Sequence, residues 1–146
     1  MHSNYARSTN FSRRVDAGLL ILRIVVGIVF LVHGGQKLFV FGFGGVTGAF
    51  GQMGIPMPAV TGPLVALVEF LAGGALVIGL LTRLAALGLA IDMLGAILFV
   101  HYKGGFFVPS GYEYALTLLA ANVAIMVAGA GYYSVDRAIA ERRAGR

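Results

Sequence analysis

Apolar residues in this chain come in long, nearly unbroken runs, and polar residues gather between them. Four runs stand out, Ala17–Val32, Ala59–Leu81, Leu84–Val100 and Tyr114–Gly131. With their flanks, each reaches the roughly 20 residues that a helix needs to cross a bilayer core about 30 Å thick. The pattern predicts helices at about 17–39, 59–81, 84–102 and 111–131. The expected fold class is all-α: an integral membrane four-helix bundle, one transmembrane domain over residues 1–146 with basic tails at 1–16 and 132–146. The first run leads into His33-Gly34-Gly35-Gln36-Lys37 rather than a small-x-small cleavage site, so it is expected to be a retained span and not a signal peptide.

Between the first two runs, Val40–Pro58 interleaves Gly42, Gly44, Gly45, Gly48, Gly51 and Gly54 with Phe41, Phe43, Phe50 and three further large apolar residues. Such a stretch suits neither water nor a full span, and an interfacial or re-entrant segment over the helix ends is expected. Phe106, Phe107, Tyr112 and Tyr114 are expected to form an aromatic girdle on the same side, with Tyr132 and Tyr133 at the other. Arg7, Arg13, Arg14, Arg83, Arg137, Arg142, Arg143 and Arg146 share one side of a four-span chain, against Lys37 and Lys103 on the other. That bias places both termini in the cytoplasm.

Composition removes several function classes. Of the 146 residues 58% are hydrophobic and 12% charged, about half the charge of a soluble domain. A net charge of +5 on a chain with so little polar surface does not describe a nucleic-acid module or a disordered tail. The chain has no cysteine, which excludes a disulfide, a thiolate metal site and a thiol relay. Any electron chemistry here needs another cofactor or another subunit.

The informative residues are polar ones inside the spans: Arg23, His33, Gln36, Lys37, Glu69, Asp92, Glu113 and Asn122, with His101 at the end of the third helix. An ionisable group at mid-bilayer costs about 2.5–3.5 kcal/mol and turns inward to a partner. At helical spacing Arg23, Gly27, Phe30, Gly34 and Lys37 share one stripe and Gly62, Ala66, Glu69 and Gly73 another. Ala85, Gly88, Asp92, Ala96 and Phe99 follow on the third helix, and Glu113, Thr117, Ala120 and Ala124 on the fourth. Small residues beside each charge allow close helix approach. Depth suggests partners: Arg23 and Asp92 lie roughly 9 and 12 Å from their helix ends and are expected to form a structural ion pair, and Glu69 lies at roughly 18 Å. His33 and Glu113 fall roughly 24–26 Å up. His33, Lys37, Glu69, Glu113 and Gln36 are thus candidates for a ligand or proton-exchanging site in the outer half. Glu69 either holds a proton itself or bonds Lys37 reaching down. Asn122, opposite Glu113 on its helix, is expected to bond a neighbouring helix or subunit. A haem between His33 and His101 is disfavoured, because nine residues from Asp92 turn His101 to the opposite face. Neither a nucleotide-binding glycine motif nor a zinc pattern occurs, and no metal site is expected.

The first helix, Leu22 to Leu38 with Arg23, His33, Gly34, Gly35, Gln36 and Lys37, resembles that of the DoxX family. So do Gly54-Ile55-Pro56-Met57-Pro58, Glu69-Phe70-Leu71-Ala72-Gly73-Gly74, Gly79-Leu80-Leu81-Thr82-Arg83 and Gly111-Tyr112-Glu113-Tyr114. The resemblance spans about residues 18–131 and implies a four-helix protein of the bacterial cytoplasmic (inner) membrane in a family linked to oxidoreductase systems. The family motifs fall on Arg23, His33, Lys37, Glu69 and Glu113. On this reading the chain is an accessory subunit of a quinone-linked or redox-protective system. Its partner carries the redox chemistry, a quinone is the candidate cofactor, and the lipid bilayer and a second copy of the chain are further partners. A non-catalytic scaffold whose charges fix helix register is the alternative. A small-solute or proton transporter ranks below both, because four short helices leave little room for alternating access.

Overall fold

The computed structural model describes residues 2–145, with side chains from Arg13 onward; the Arg7 side chain and Arg146 lie outside the described residues. Helix α1, His2–Gly35, leads through a π-helical turn, Gln36–Phe41, into α2, Gly42–Gln52. Helix α3 is Pro58–Ile78 and α4 is Thr82–Ala96, extended by a π-helical turn at Ile97–His101 and a 3-10 turn at Tyr102–Gly104. After a loop come α5, Glu113–Ala128, and α6, Val135–Ala144. No strand occurs among the described residues.

Three boundaries depart from the sequence reading. The 34 residues of α1 reach about 51 Å at 1.5 Å each, so much of the expected basic tail at 1–16 is helix projecting beyond the apolar core. The glycine-rich segment is also largely helical. Glycine costs about 1 kcal/mol against alanine in a helix, but away from water every backbone group needs an internal partner, which favours the helix. The fourth apolar helix is shorter than expected. Helix α5 has 16 residues, about 24 Å, and ends at Gly129, whose φ is +87°. Three helical stretches, Arg13–Gln52, Pro58–Ile78 and Thr82–Gly104, are long and apolar enough to cross a membrane, while Glu113–Ala128 is a shorter apolar helix. The basic tail at 132–146 contains α6, whose N-cap Ser134 Oγ accepts from the Arg137 N–H at 3.2 Å.

Local chemistry sets the turns. Pro58 opens α3, where a missing N–H costs nothing. Gly79 closes it at φ +73°, with its N–H and that of Leu80 on the Ala75 carbonyl at 2.8 and 2.9 Å. Helix α4 is capped from afar: the Asp136 carboxylate accepts from the N–H groups of Leu81 and Thr82 at 2.7 and 2.9 Å.

Helix α1 packs most extensively on α3, and α4 on α5. The first contact depends on missing side chains. A Cβ on Gly27 would lie 2.8 Å from the Gly73 carbonyl oxygen, and one on Gly34 would overlap the Phe70 backbone. Val26, Phe30, Leu76, Leu89, Met93, Leu118 and Ile125 fill the centre. Large apolar side chains such as Ile21, Val25, Leu71, Leu84, Ile91 and Val127 face outward, as expected where the surroundings are lipid. The expected stripes on α1 and α3 are inward: Arg23, Gly27, Phe30 and Gly34 are buried, and so are Gly62, Ala66, Glu69 and Gly73. The fourth helix turns the other way. Ala115, Leu118, Asn122 and Ile125 are buried while Thr117, Ala120 and Ala124 are exposed, so Asn122 and not Glu113 marks its inner face.

Candidate functional site

Asp16, the α3–α4 hinge and the start of α6 meet at one end of the bundle. There the Tyr132 N–H donates to Asp16 Oδ1 at 2.9 Å, and the α6 start is tied to Gly79 by the Asp136 N–H at 2.9 Å. Arg23 lies here, 2% exposed, with Nη1 donating to the Ala130 carbonyl at 2.8 Å and Nη2 to that of Tyr133 at 2.7 Å. The guanidinium ties α1 to the loop between α5 and α6 by binding two of its carbonyls. Gly79 must lack a Cβ, which would overlap the Arg23 guanidinium. The expected Arg23–Asp92 ion pair does not form. Among the described residues the ion pairs are Lys37–Glu69 and Arg137–Glu141. A long arginine side chain reaches towards the helix end, whereas a short aspartate stays at the depth of its own backbone.

That depth is the depth of Glu69. Counted from the hinge, Glu69 is nine residues before the end of α3 and Asp92 ten after the start of α4, about 14 and 15 Å. The two carboxyls meet, and Asp92 also faces Lys37. Asp92 Oδ2 is buried without a hydrogen-bond partner. Lys37, held in the π-helical turn that follows α1, donates to Glu69 Oε2 at 2.5 Å. Of the two readings of Glu69, the structure shows the bond to Lys37.

These three side chains line a cavity of about 510 Å³ bounded by α1, α3, α4, the end of α2 and the start of α5. His33 joins them, one helical turn before Lys37. Its walls are otherwise mostly apolar, with Phe30, Phe50, Val65 and Phe99 among them. Gln36 is exposed and off this wall. Glu113 is also off it, because Oε1 accepts the Val108 N–H at 2.9 Å and ties the loop before α5 to the helix start. The expected five-residue cluster therefore comes together as His33, Lys37 and Glu69, with Asp92 in place of Gln36 and Glu113.

His101 is a further correction. Regular helical spacing turns it away, yet it lines the cavity, with Nδ1 3.3 Å from the Ser110 carbonyl. The wider π-helical turn at Ile97–His101 takes more residues per turn and rotates the histidine back towards Asp92. Such turns recur at functional sites, and here two flank one cavity, carrying Lys37 and His101. Thr61 and Tyr114, neither a sequence candidate, also reach the wall. Asn122 is wholly buried, donating Nδ2 to the Leu118 carbonyl at 2.9 Å within its own helix, while Oδ1 has no partner.

Comparison with known proteins follows the same lines. The DoxX family model matches residues 18–102. The chain is 33% identical over 135 residues to an uncharacterized membrane protein of Mycobacterium tuberculosis, Rv3486, covering 85% of this chain and 82% of that one. It is 30% identical over 125 residues to the putative oxidoreductase CatD of Bacillus subtilis, covering 86% and 89%. To the inner membrane protein YqjF of Escherichia coli it is 36% identical over 124 residues, covering 84% and 92%. No solved structure matches the chain.

Proposed function

The chain belongs to the DoxX family, and from that premise we propose that it is an accessory membrane subunit of a quinone-linked oxidoreductase system, holding a quinone-class ring in the cavity beside Lys37, Glu69 and Asp92. The observation that carries this reading is the cavity itself. Its volume of about 510 Å³ suits a small-molecule site, and apolar walls with a few convergent polar groups are what such a site needs. The naming of one relative as a putative oxidoreductase supports the redox setting, and the inner-membrane relative supports the bacterial cytoplasmic membrane. The arginine-rich end faces the cytoplasm on this reading, with both termini inside and the cavity in the outer half.

The polar wall has a defined task. A quinone taking up electrons needs protons at its two oxygens. Lys37 and the two carboxyls form one connected acid–base group at the ring's edge, and His33 and His101 stand along the same cavity. With no cysteine in the chain, electrons reach the ring from a protein partner.

The test is purification of the full chain in mild detergent, followed by mass spectrometry of bound lipids and titration with 2-methyl-1,4-naphthoquinone. The reading expects a bound or titratable quinone, with affinity lowered about tenfold or more by Lys37→Met, which removes the donor to a ring oxygen. A preparation that neither carries nor binds one overturns it and leaves the scaffold alternative.

A further inference from the structure

The end of the bundle that seals Arg23 also carries an open cleft of about 530 Å³, between the α3–α4 hinge, the end of α5 and the start of α6. The cleft lies at a membrane boundary, because the hinge joins two helices, Pro58–Ile78 and Thr82–Gly104, that are each long and apolar enough to span. Its floor, Ala128 to Gly131, has no side chain larger than a methyl group, which keeps the space open. Two arginines line it. Arg83 gives one N–H to the Val127 carbonyl at a long 3.4 Å. Arg137 gives Nε to Glu141 at 2.8 Å, and its guanidinium lies over the Tyr132 ring, 5.9 Å from the centroid. Neither has another hydrogen-bond partner among the described residues, so most of the five N–H groups of each guanidinium are free. Asp136, the acid on the same wall, has both carboxylate oxygens on the N–H groups of Leu81 and Thr82. The rim is apolar: Leu81 and Leu84 are exposed, and Leu84 starts an outward stripe that Leu87 and Ile91 continue along α4.

We propose that this cleft binds an anionic phospholipid, with the phosphodiester held by Arg83 and Arg137 and an acyl chain laid along Leu84, Leu87 and Ile91. The site is separate from the inner cavity and holds whichever ligand that cavity takes. Free guanidinium forks match phosphate oxygens two at a time, and basic pockets between helices at the membrane surface are where anionic headgroups bind. The apolar rim decides between the two sources of a phosphate group. A free phosphate would meet the arginines and leave the exposed leucines unused, whereas a lipid uses both at once, at the depth where its headgroup and its chains divide. Charge decides between lipids. A zwitterionic lipid carries its own cation a few bonds from the phosphate, and two guanidiniums repel it; an anionic lipid has none. Arg13, Arg14, Arg142 and Arg143, on the helices that meet at this end, lie off the wall. They draw anionic lipid towards the surface without seating it.

The experiment is native mass spectrometry of the full chain in mild detergent, titrated with dioleoylphosphatidylglycerol, with dioleoylphosphatidylcholine, which has the same chains, and with glycerol 3-phosphate, which has none. Phosphatidylglycerol is expected to bind about tenfold tighter than phosphatidylcholine, and glycerol phosphate far more weakly than either. The double variant Arg83→Gln, Arg137→Gln should reduce the preference to about twofold or less. Arg142→Gln with Arg143→Gln makes the same change in net charge off the cleft and should keep a preference of about fivefold or more. All four side chains are exposed, so both variants are expected to melt with the parent chain. Equal binding of the two lipids, or an equal loss of preference in the two double variants, overturns the site. Glycerol phosphate binding as tightly as phosphatidylglycerol overturns the lipid as its occupant.

Discussion

At one end of the bundle Arg23 is sealed from its surroundings, with two backbone carbonyls on its guanidinium and Gly79 pressed against it. Deeper in the bundle, Lys37 meets Glu69 on the wall of an open cavity, with 22% of the lysine side chain exposed. Both sites place charge in an apolar setting, and the difference lies in what each charge is used up by. Arg23 is consumed by the fold: its two amino groups hold carbonyls of the loop between α5 and α6. The Lys37, Glu69 and Asp92 group instead lines a space the size of a ligand. A buried charge by itself therefore says little about function; whether it borders a space that a ligand can fill says much more.

The contrast breaks most visibly at Arg23. Arg23→Leu leaves the Ala130 and Tyr133 carbonyls without donors and is expected to cost about 3 kcal/mol or more. It should appear as a collapse in folded protein recovered from membranes and in the detergent-phase melting temperature. Gly34→Ala comes next, at about 1–3 kcal/mol, because its new methyl overlaps the Phe70 backbone; the same melting assay reads it. Asp136→Ala removes the distant cap on α4 and should cost about 1 kcal/mol, with hydrogen exchange rising first at Leu81 and Thr82. Glu113→Ala, expected to cost about 1 kcal/mol or less, should loosen the loop at Val108 and leave quinone affinity unchanged; a tenfold loss of affinity would return Glu113 to the site.

Much of this contrast was legible from residue types alone. Arg23, Lys37 and Glu69 stood out because each charge in an apolar run demands a partner, and glycine spacing gave the inner faces of α1 and α3 correctly. What failed was the choice of partners, for reasons of geometry. Displacing the ends of α3 and α4 by two or three residues was enough to separate Glu69 from Asp92 and to send Asp92 to Arg23. Charge in an apolar run points Glu113 inward, but a residue in the first turn of a helix can spend its carboxylate on the preceding loop. His101 was lost to the π-helical turn, whose altered register leaves no mark in the periodicity. Helix α6 was hidden in a basic tail, where charge speaks for topology and not for structure.

The most direct test replaces the charge pair in the cavity wall with apolar residues, Lys37→Leu together with Glu69→Leu, and measures melting temperature and quinone-class binding on one preparation. Replacing a buried pair with well-packed apolar side chains is often neutral or stabilising. The account predicts a melting temperature equal to or above that of the parent chain, with binding reduced at least tenfold. A melting temperature that falls as far as in Arg23→Leu, with binding retained, would show that Lys37 and Glu69 hold the fold in the way Arg23 does, and would contradict it.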